Sequence, residues 1–124
     1  MIIGIGMDII ELSRVERLHK EKRSFAKRVL TEEERKMLDR LHGKRQVEFL
    51  AGRFAAKEAY AKAKGCGIGK ELSFQDLELG NGVMGKPVLY DMKENIGHVH
   101  VSITHTRTMA AAQVVVESEK EGRE

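Results

Sequence analysis

Arg53-Phe54-Ala55-Ala56-Lys57-Glu58-Ala59-Tyr60-Ala61-Lys62-Ala63-Lys64-Gly65 is the stretch that organises this chain. It closes a run, residues 47–64, that is rich in Ala, Lys and Glu and free of Pro, so it reads as one helix. Apolar residues recur at Val47, Leu50, Ala51, Phe54 and Ala55, the spacing of one helix face. The next position on that face is Glu58. A carboxylate among core positions is costly unless it is paired, hydrogen-bonded or bound to a metal. Glu58 is therefore the first candidate functional group. Gly65 ends the helix and opens the loop Gly65-Cys66-Gly67-Ile68-Gly69.

Working outward, the N-terminal side begins with an alternating stretch, residues 2–10, that reads as a strand rather than a signal peptide. Ile3, Ile5, Met7 and Ile9 share one face. Gly4, Gly6 and Asp8 share the other with Ile2 and Ile10, so Asp8 lies beside two positions without side chains, where something bulky can approach the backbone. Ser13 with Glu16 has the capping-box pattern for a helix to about residue 22, and Thr31 with Glu34 repeats it for a second helix toward Leu41. Gly43 separates that helix from the long one.

On the C-terminal side, residues 72–79 read as a strand. Turn signals follow at Gly80-Asn81-Gly82 and Gly85-Lys86-Pro87. Residues 88–90 suggest a short strand and residues 91–96 a brief helix ending at Gly97. Residues 98–105 alternate cleanly, with Val99, Val101 and Ile103 on one face, and residues 109–117 make a last strand joined to it as a hairpin. The order is mixed α and β with at least one hairpin. The expected class is α+β, a small antiparallel sheet packed with the long central helix. The chain of 124 residues reads as a single domain over residues 1–117 with a charged, frayed tail at 118–124.

Composition narrows the function. Charged residues are 33% of the chain and aromatics 5%, with no Trp. That is a soluble composition with no aromatic series for stacking on bases, which argues against a nucleic-acid partner. No apolar run approaches membrane-spanning length, so no membrane partner is expected. The one cysteine, Cys66, has no internal partner, which points to a reducing, cytoplasmic setting. Net charge is only +3, but seven basic residues fall between Arg14 and Arg28 against Glu16 and Glu21. Such a patch suits an acidic partner; the alternative is a solvated helix face.

Asp8 and Glu58 form the candidate metal pair. Mg²⁺ takes hard oxygen ligands, commonly one or two carboxylates completed by phosphates and water. The alternatives are a strand-end cap for Asp8 and a salt bridge to Lys62 for Glu58. Lys57, Lys62 and Lys64 surround Glu58 and suit phosphates, or balance the helix macrodipole. The glycine loop offers amides to an anion, or serves as a C-cap and turn. His105, flanked by Thr104 and Thr106, suits a phosphate contact or a structural role.

These residues carry a resemblance. Gly4-Ile5-Gly6-Met7-Asp8-Ile9-Ile10-Glu11 resembles the opening motif of the bacterial holo-acyl-carrier-protein synthases, the small 4′-phosphopantetheinyl transferases. Residues 53–63 resemble the second signature of that family, and residues 65–69 its continuation. Phe74-Gln75-Asp76-Leu77-Glu78, Gly85-Lys86-Pro87 and Val101-Ser102-Ile103-Thr104-His105-Thr106 match further blocks in order. Arg107-Thr108-Met109 departs from the Lys-Glu-Tyr common there, and residues 80–84 and 92–98 match nothing distinctive.

The resemblance implies transfer of the 4′-phosphopantetheine arm of coenzyme A to a serine of apo-acyl carrier protein, in fatty acid biosynthesis. It implies Mg²⁺ at Asp8 and Glu58, with Asp8, Glu58 and Lys62 catalytic. It implies coenzyme contacts at Arg45, Arg53, Lys62, Gly65, Pro87, His105 and Thr106, and carrier contacts at Arg14, Leu18, Phe25 and Arg28. It also implies a homotrimer with active sites between subunits. A basic nucleic-acid-binding module and a coenzyme A sensor without turnover are the competing classes.

Overall fold

A computed structural model describes residues 1–119. Strand β1 (Ile2–Glu11) runs directly into helix α1 (Leu12–Glu21). Two short helices follow, α2 (Ser24–Val29) and α3 (Glu32–Asp39), then the long helix α4 (Lys44–Lys64). After the glycine loop come a 3₁₀ turn (Phe74–Asp76) and strands β2 (Leu77–Asn81), β3 (Pro87–Asp91), β4 (His98–His105) and β5 (Met109–Glu117). All pairing is antiparallel: one sheet has the order β1-β5-β4, and β2-β3 is a separate hairpin. This is the α+β architecture expected, with α4 at its centre.

Helix α4 differs from the amphipathic reading. Leu50, Ala51, Gly52, Ala55, Ala56, Lys57, Ala59, Tyr60 and Ala61 are all buried, so the helix is enclosed on most sides. The fully buried charge on it is Lys57, not Glu58, which lies half-buried at the rim. Lys57 Nζ donates to Glu34 Oε1 at 2.6 Å, Val29 O at 2.8 Å and Phe74 O at 3.2 Å. Glu34 accepts in addition from the amides of Thr31 (2.9 Å) and Leu79 (2.7 Å). Small residues let β1 lie close on α4. A Cβ placed on Gly4 or Gly6 would overlap the carbonyl oxygen of Ala63 or Ala59. The room foreseen beside Asp8 is thus filled by the helix.

The other face of β1 has no cover. Ile3, Ile5, Met7 and Ile9 are 50–62% exposed, a continuous apolar row. Three further expectations change. Helix α1 begins at Leu12 with no side-chain cap, because the strand delivers Leu12 N–H to Thr108 O at 2.8 Å and leaves Ser13 inside the first turn. The Thr31–Glu34 capping box is present as expected. Residues 72–76 are not strand, because Asp76 Oδ2 takes the Ser73 amide and closes a 3₁₀ turn. No helix forms at residues 91–96, because Asp91 Oδ1 accepts the amides of Lys93 and Glu94 and folds an Asx turn. The tail foreseen at 118–124 lies largely outside the described residues.

Gly6→Ala forces a methyl group into backbone rather than into a side chain that can rotate. Overpacking of this kind costs about 1–3 kcal/mol or more. We expect a melting temperature lowered by roughly 5–20 °C, or no folded protein. Thermal unfolding followed by circular dichroism measures it, and an unchanged melting temperature would contradict the seam between β1 and α4.

Candidate active site

Asp8 reaches the site from the inward face of β1, and Glu58 and Lys62 from successive turns of α4. Lys62 Nζ donates to Asp8 Oδ1 at 3.1 Å and to Met7 O at 2.9 Å. The Asp8 side chain is 17% exposed and that of Lys62 53%. Burial pushes the Glu58 carboxyl above its ordinary value, the negative charge of Asp8 pushes it further, and Lys62 partly offsets both. Two carboxylates near enough to repel form a site that gains from a cation. Among the described residues no three His, Cys, Asp or Glu side chains group as a metal cluster. The donor set is two carboxylates, which fits a hard cation completed by phosphate oxygens and water.

Glu58 opens on a groove of about 410 Å³. Its walls are Arg28 of α2, Phe54 of α4, Ile68 and Gly69 of the glycine loop, and Ser73, Phe74 and Gln75 of the 3₁₀ turn. The glycine loop itself is folded back on α4. Gly65, at φ 93°, caps the helix, and the amides of Gly65, Cys66 and Gly67 all donate to Ala61 O. Those amides turn onto the helix end, which bears out the C-cap reading. Lys57 is sealed in the core. Lys64 pairs with Asp91 at 3.2 Å and Glu94 at 3.0 Å. Tyr60 donates to Asp91 Oδ2 at 2.5 Å; burial and this carboxylate hold its phenol proton far above the ordinary value. Of the three lysines near Glu58, Lys62 alone faces the carboxylate pair.

The remaining expected contacts gather elsewhere. His105 ends β4, with Nδ1 3.8 Å from Glu48 Oε2. Thr106 Oγ1 accepts the amides of Thr108 and Met109 and closes the β4–β5 turn. The Arg53 guanidinium stacks 4.1 Å from the Phe49 ring centroid, and its buried Nε has no partner. Arg45 and Arg53 line a second cavity, of about 330 Å³, with Arg40, Phe49 and Asn81. Pro87 starts β3 opposite Asn81. β1 and β4 are the two edges of the sheet, with β5 between them. Neighbouring strands lie about 4.8 Å apart, so Asp8 and His105 stand roughly 10 Å or more from each other. Arg53 and Glu58 point roughly 140° apart around α4. Within one chain Asp8 does not meet His105, nor Glu58 Arg53.

Of the residues foreseen for a carrier protein, Arg14 and Arg28 are exposed. Leu18 is half-buried against the core. Phe25 is a correction: it is 5% exposed, its ring 6.1 Å from that of Phe54, because α2 turns its apolar side inward. Phe25 supports the basic surface from beneath and does not project from it.

Residues 4–116 match the family model described as the 4′-phosphopantetheinyl transferase superfamily. The chain belongs to that superfamily. It is 59% identical over 118 residues to the holo-[acyl-carrier-protein] synthase of Bacillus cytotoxicus, covering 95% of this chain and 98% of that protein. The crystal structure of the holo-(acyl-carrier-protein) synthase from Bacillus anthracis in complex with CoA (3′,5′-ADP) superposes with a TM-score of 0.89 at 53% identity, covering 96% of this chain and 99% of that one. The Neisseria meningitidis holo-[acyl-carrier-protein] synthase gives 0.84 at 37% identity, covering 95% and 100%.

In this member of the transferase superfamily, sequence reading left Gln75 without a role. Its Nε2 donates to Lys27 O at 2.8 Å and Leu30 O at 2.6 Å, beside the groove at Glu58. The only signal in the sequence was that Gln75 falls in the block 74–78. Glu34 passed as a helix cap because nothing local relates it to Lys57.

Lys62→Met removes the one group that lowers the Glu58 pKa while leaving burial and Asp8 in place. The Glu58 carboxyl should therefore titrate at higher pH than in the wild type. Carbon-13 NMR titration of the glutamate side chains reads this directly. A downward shift, or none, would mean that Lys62 does not act on Glu58.

Proposed function

We propose that this protein is a holo-[acyl-carrier-protein] synthase: it transfers 4′-phosphopantetheine from coenzyme A to a serine hydroxyl of apo-acyl carrier protein, with residues 1–117 acting as one transferase domain. The observation that carries this is the meeting of Asp8, Glu58 and Lys62 on a strand and a helix locked backbone to backbone, at the mouth of a groove shared with Arg28. The relatives named above support the same activity.

In the reaction the serine oxygen bonds to the phosphorus that carries the pantetheine arm. The pyrophosphate P–O bond breaks, and adenosine 3′,5′-bisphosphate leaves. Asp8 and Glu58 are the residues that would hold Mg²⁺, which when bound supplies charge neutralisation at the pyrophosphate. Lys62 is the cation on this chain that faces the same charge. Glu58, beside Asp8 and Lys62, is a candidate acceptor of the serine proton. Arg14 and Arg28 on the basic surface attract the acidic carrier.

Two features support a site closed between copies. Asp8, Glu58 and Lys62 lie together where β1 meets α4, and of the coenzyme contacts implied by resemblance Lys62 and Gly65 lie at the same end of α4, whereas Arg53 points away from Glu58 around the helix and His105 stands on the opposite edge strand. The apolar row on β1 is uncovered. The family resemblance supports three copies. Sedimentation equilibrium should give three times the chain mass of 14.0 kDa, and a monomer at micromolar concentration would remove this part of the reading. The exposed, unpaired Cys66 supports a reducing compartment, the cytoplasm. Among the described residues no helix is long and apolar enough to cross a membrane.

Incubation with coenzyme A, Mg²⁺ and apo-carrier, followed by mass spectrometry of the carrier, tests the activity; a carrier of unchanged mass would refute it. Asp8→Asn and Glu58→Gln should each lower turnover by on the order of a hundredfold or more while the fold survives. Wild-type rates in both variants would sink the paired-carboxylate site.

Arg14→Glu should raise the KM for carrier, leave the KM for coenzyme A unchanged and flatten the salt dependence of the carrier KM. A carrier KM equal to the wild type at low ionic strength would exclude this surface from the interface.

A further inference from the structure

Helix α2 has six residues, far fewer than hold a helix unaided. Its last carbonyls need donors from outside the helix. Leu30 follows in extended conformation, with no glycine to fold the chain back, and its amide takes Ala26 O at 2.8 Å. The other carbonyls are reached by side chains distant in sequence. Lys57 Nζ takes Val29 O at 2.8 Å. Gln75 Nε2 takes Lys27 O at 2.8 Å and Leu30 O at 2.6 Å, with a longer approach to Arg28 O at 3.3 Å. Arg35 Nη1 adds a bond to Leu30 O at 3.1 Å.

These donors differ in depth. Lys57 is sealed in the core and its loss would disturb the whole molecule. Gln75 is exposed, so its loss opens no cavity. Yet Gln75 spans the carbonyls on both sides of Arg28 and lines the same groove as Arg28 and Glu58. Its amide group holds the backbone on either side of Arg28, and Arg28 lines the groove together with Glu58.

We infer that Gln75 is a positioning residue for the transfer reaction: it holds the C-terminal end of α2 so that Arg28 meets the carrier protein in register with Glu58. This rests on the carrier-protein reading above. A residue that only stabilised the fold would lower the melting temperature and leave substrate preference unchanged. A positioning residue separates the two substrates and couples to Arg28.

The test uses Gln75→Met, which keeps the length of the side chain but has no donor, and Gln75→Ala as a second truncation. Steady-state kinetics are measured with each substrate varied in turn, alongside thermal melting, and the set is completed with Arg28→Ala and the Arg28→Ala/Gln75→Met double variant. We expect the carrier KM to rise about tenfold, the coenzyme A KM to stay within about twofold, and the melting temperature to fall by only a few degrees. Arg28→Ala should raise the carrier KM about tenfold in the wild-type background and less than about threefold in Gln75→Met.

An unchanged carrier KM, equal losses for both substrates, or fully additive effects of the two substitutions would overturn the inference. A wild type that transfers nothing to the carrier removes the functional reading and this one with it. A wild type that transfers normally beside an additive cycle removes only the role of Gln75.

Discussion

An ammonium and a carboxylate, both out of contact with water, meet at 2.6 Å in the middle of this molecule. Lys57 and Glu34 are tolerable there because all three ammonium hydrogens and both carboxylate oxygens are hydrogen-bonded. The lysine reaches two carbonyls besides the carboxylate, and the carboxylate accepts two backbone amides besides the lysine. Burial lowers the Lys57 pKa and Glu34 counteracts it. Removing one partner of such a pair costs about 3–5 kcal/mol. Replacing both with apolar residues would still orphan the carbonyls of Val29 and Phe74 and the amides of Thr31 and Leu79. Through this one contact α2, α3, β2 and the 3₁₀ turn are fixed to α4, one residue before Glu58.

The same contact explains where sequence reading went astray. A stripe of apolar residues is informative when one face of a helix meets a core and the other meets water. Helix α4 is surrounded, and its alanines and Gly52 carry little directional signal. Glu58 therefore lies shallower than the stripe implies, and Lys57, read with Lys62 and Lys64 as a phosphate or macrodipole lysine, lies in the core. Asp8 and Lys62 nevertheless meet, with Glu58 beside them, because the strand-to-helix contact through Gly4 and Gly6 brings β1 onto that part of α4. The Thr31–Glu34 box was legible because a capping box is a local pattern. The start of α1, the inward turn of Phe25 and the Asx turn at Asp91 were not. They are decided by the strand that feeds the helix, by the packing of Phe54 and by one carboxylate choosing two amides.

The distribution of charge follows from the layering. Helices α1 and α2 lie where Arg14 and Arg28 stay exposed, and the inner side of α2 supplies Phe25 to the row of rings with Phe54 and Phe74, whose centroids are 6.1 and 5.4 Å apart in turn. A basic surface is thus backed by aromatic packing rather than by a flexible loop. On the far side, Arg53 lies over Phe49 with its Nε unpaired. Cationic surface therefore borders α4 in two separate places, each beside its own cavity.

The seam between β1 and α4 restricts how this protein can change over generations. Contacts between side chains can drift in pairs, one growing as its neighbour shrinks. At Gly4 and Gly6 the opposing atoms are the main-chain oxygens of Ala63 and Ala59, which no substitution can make smaller. A larger residue on the strand has no compensating partner on the helix. The separation of Asp8 from Glu58 is thereby written into the backbone, and the neighbourhood of the site is closed to stepwise exchange.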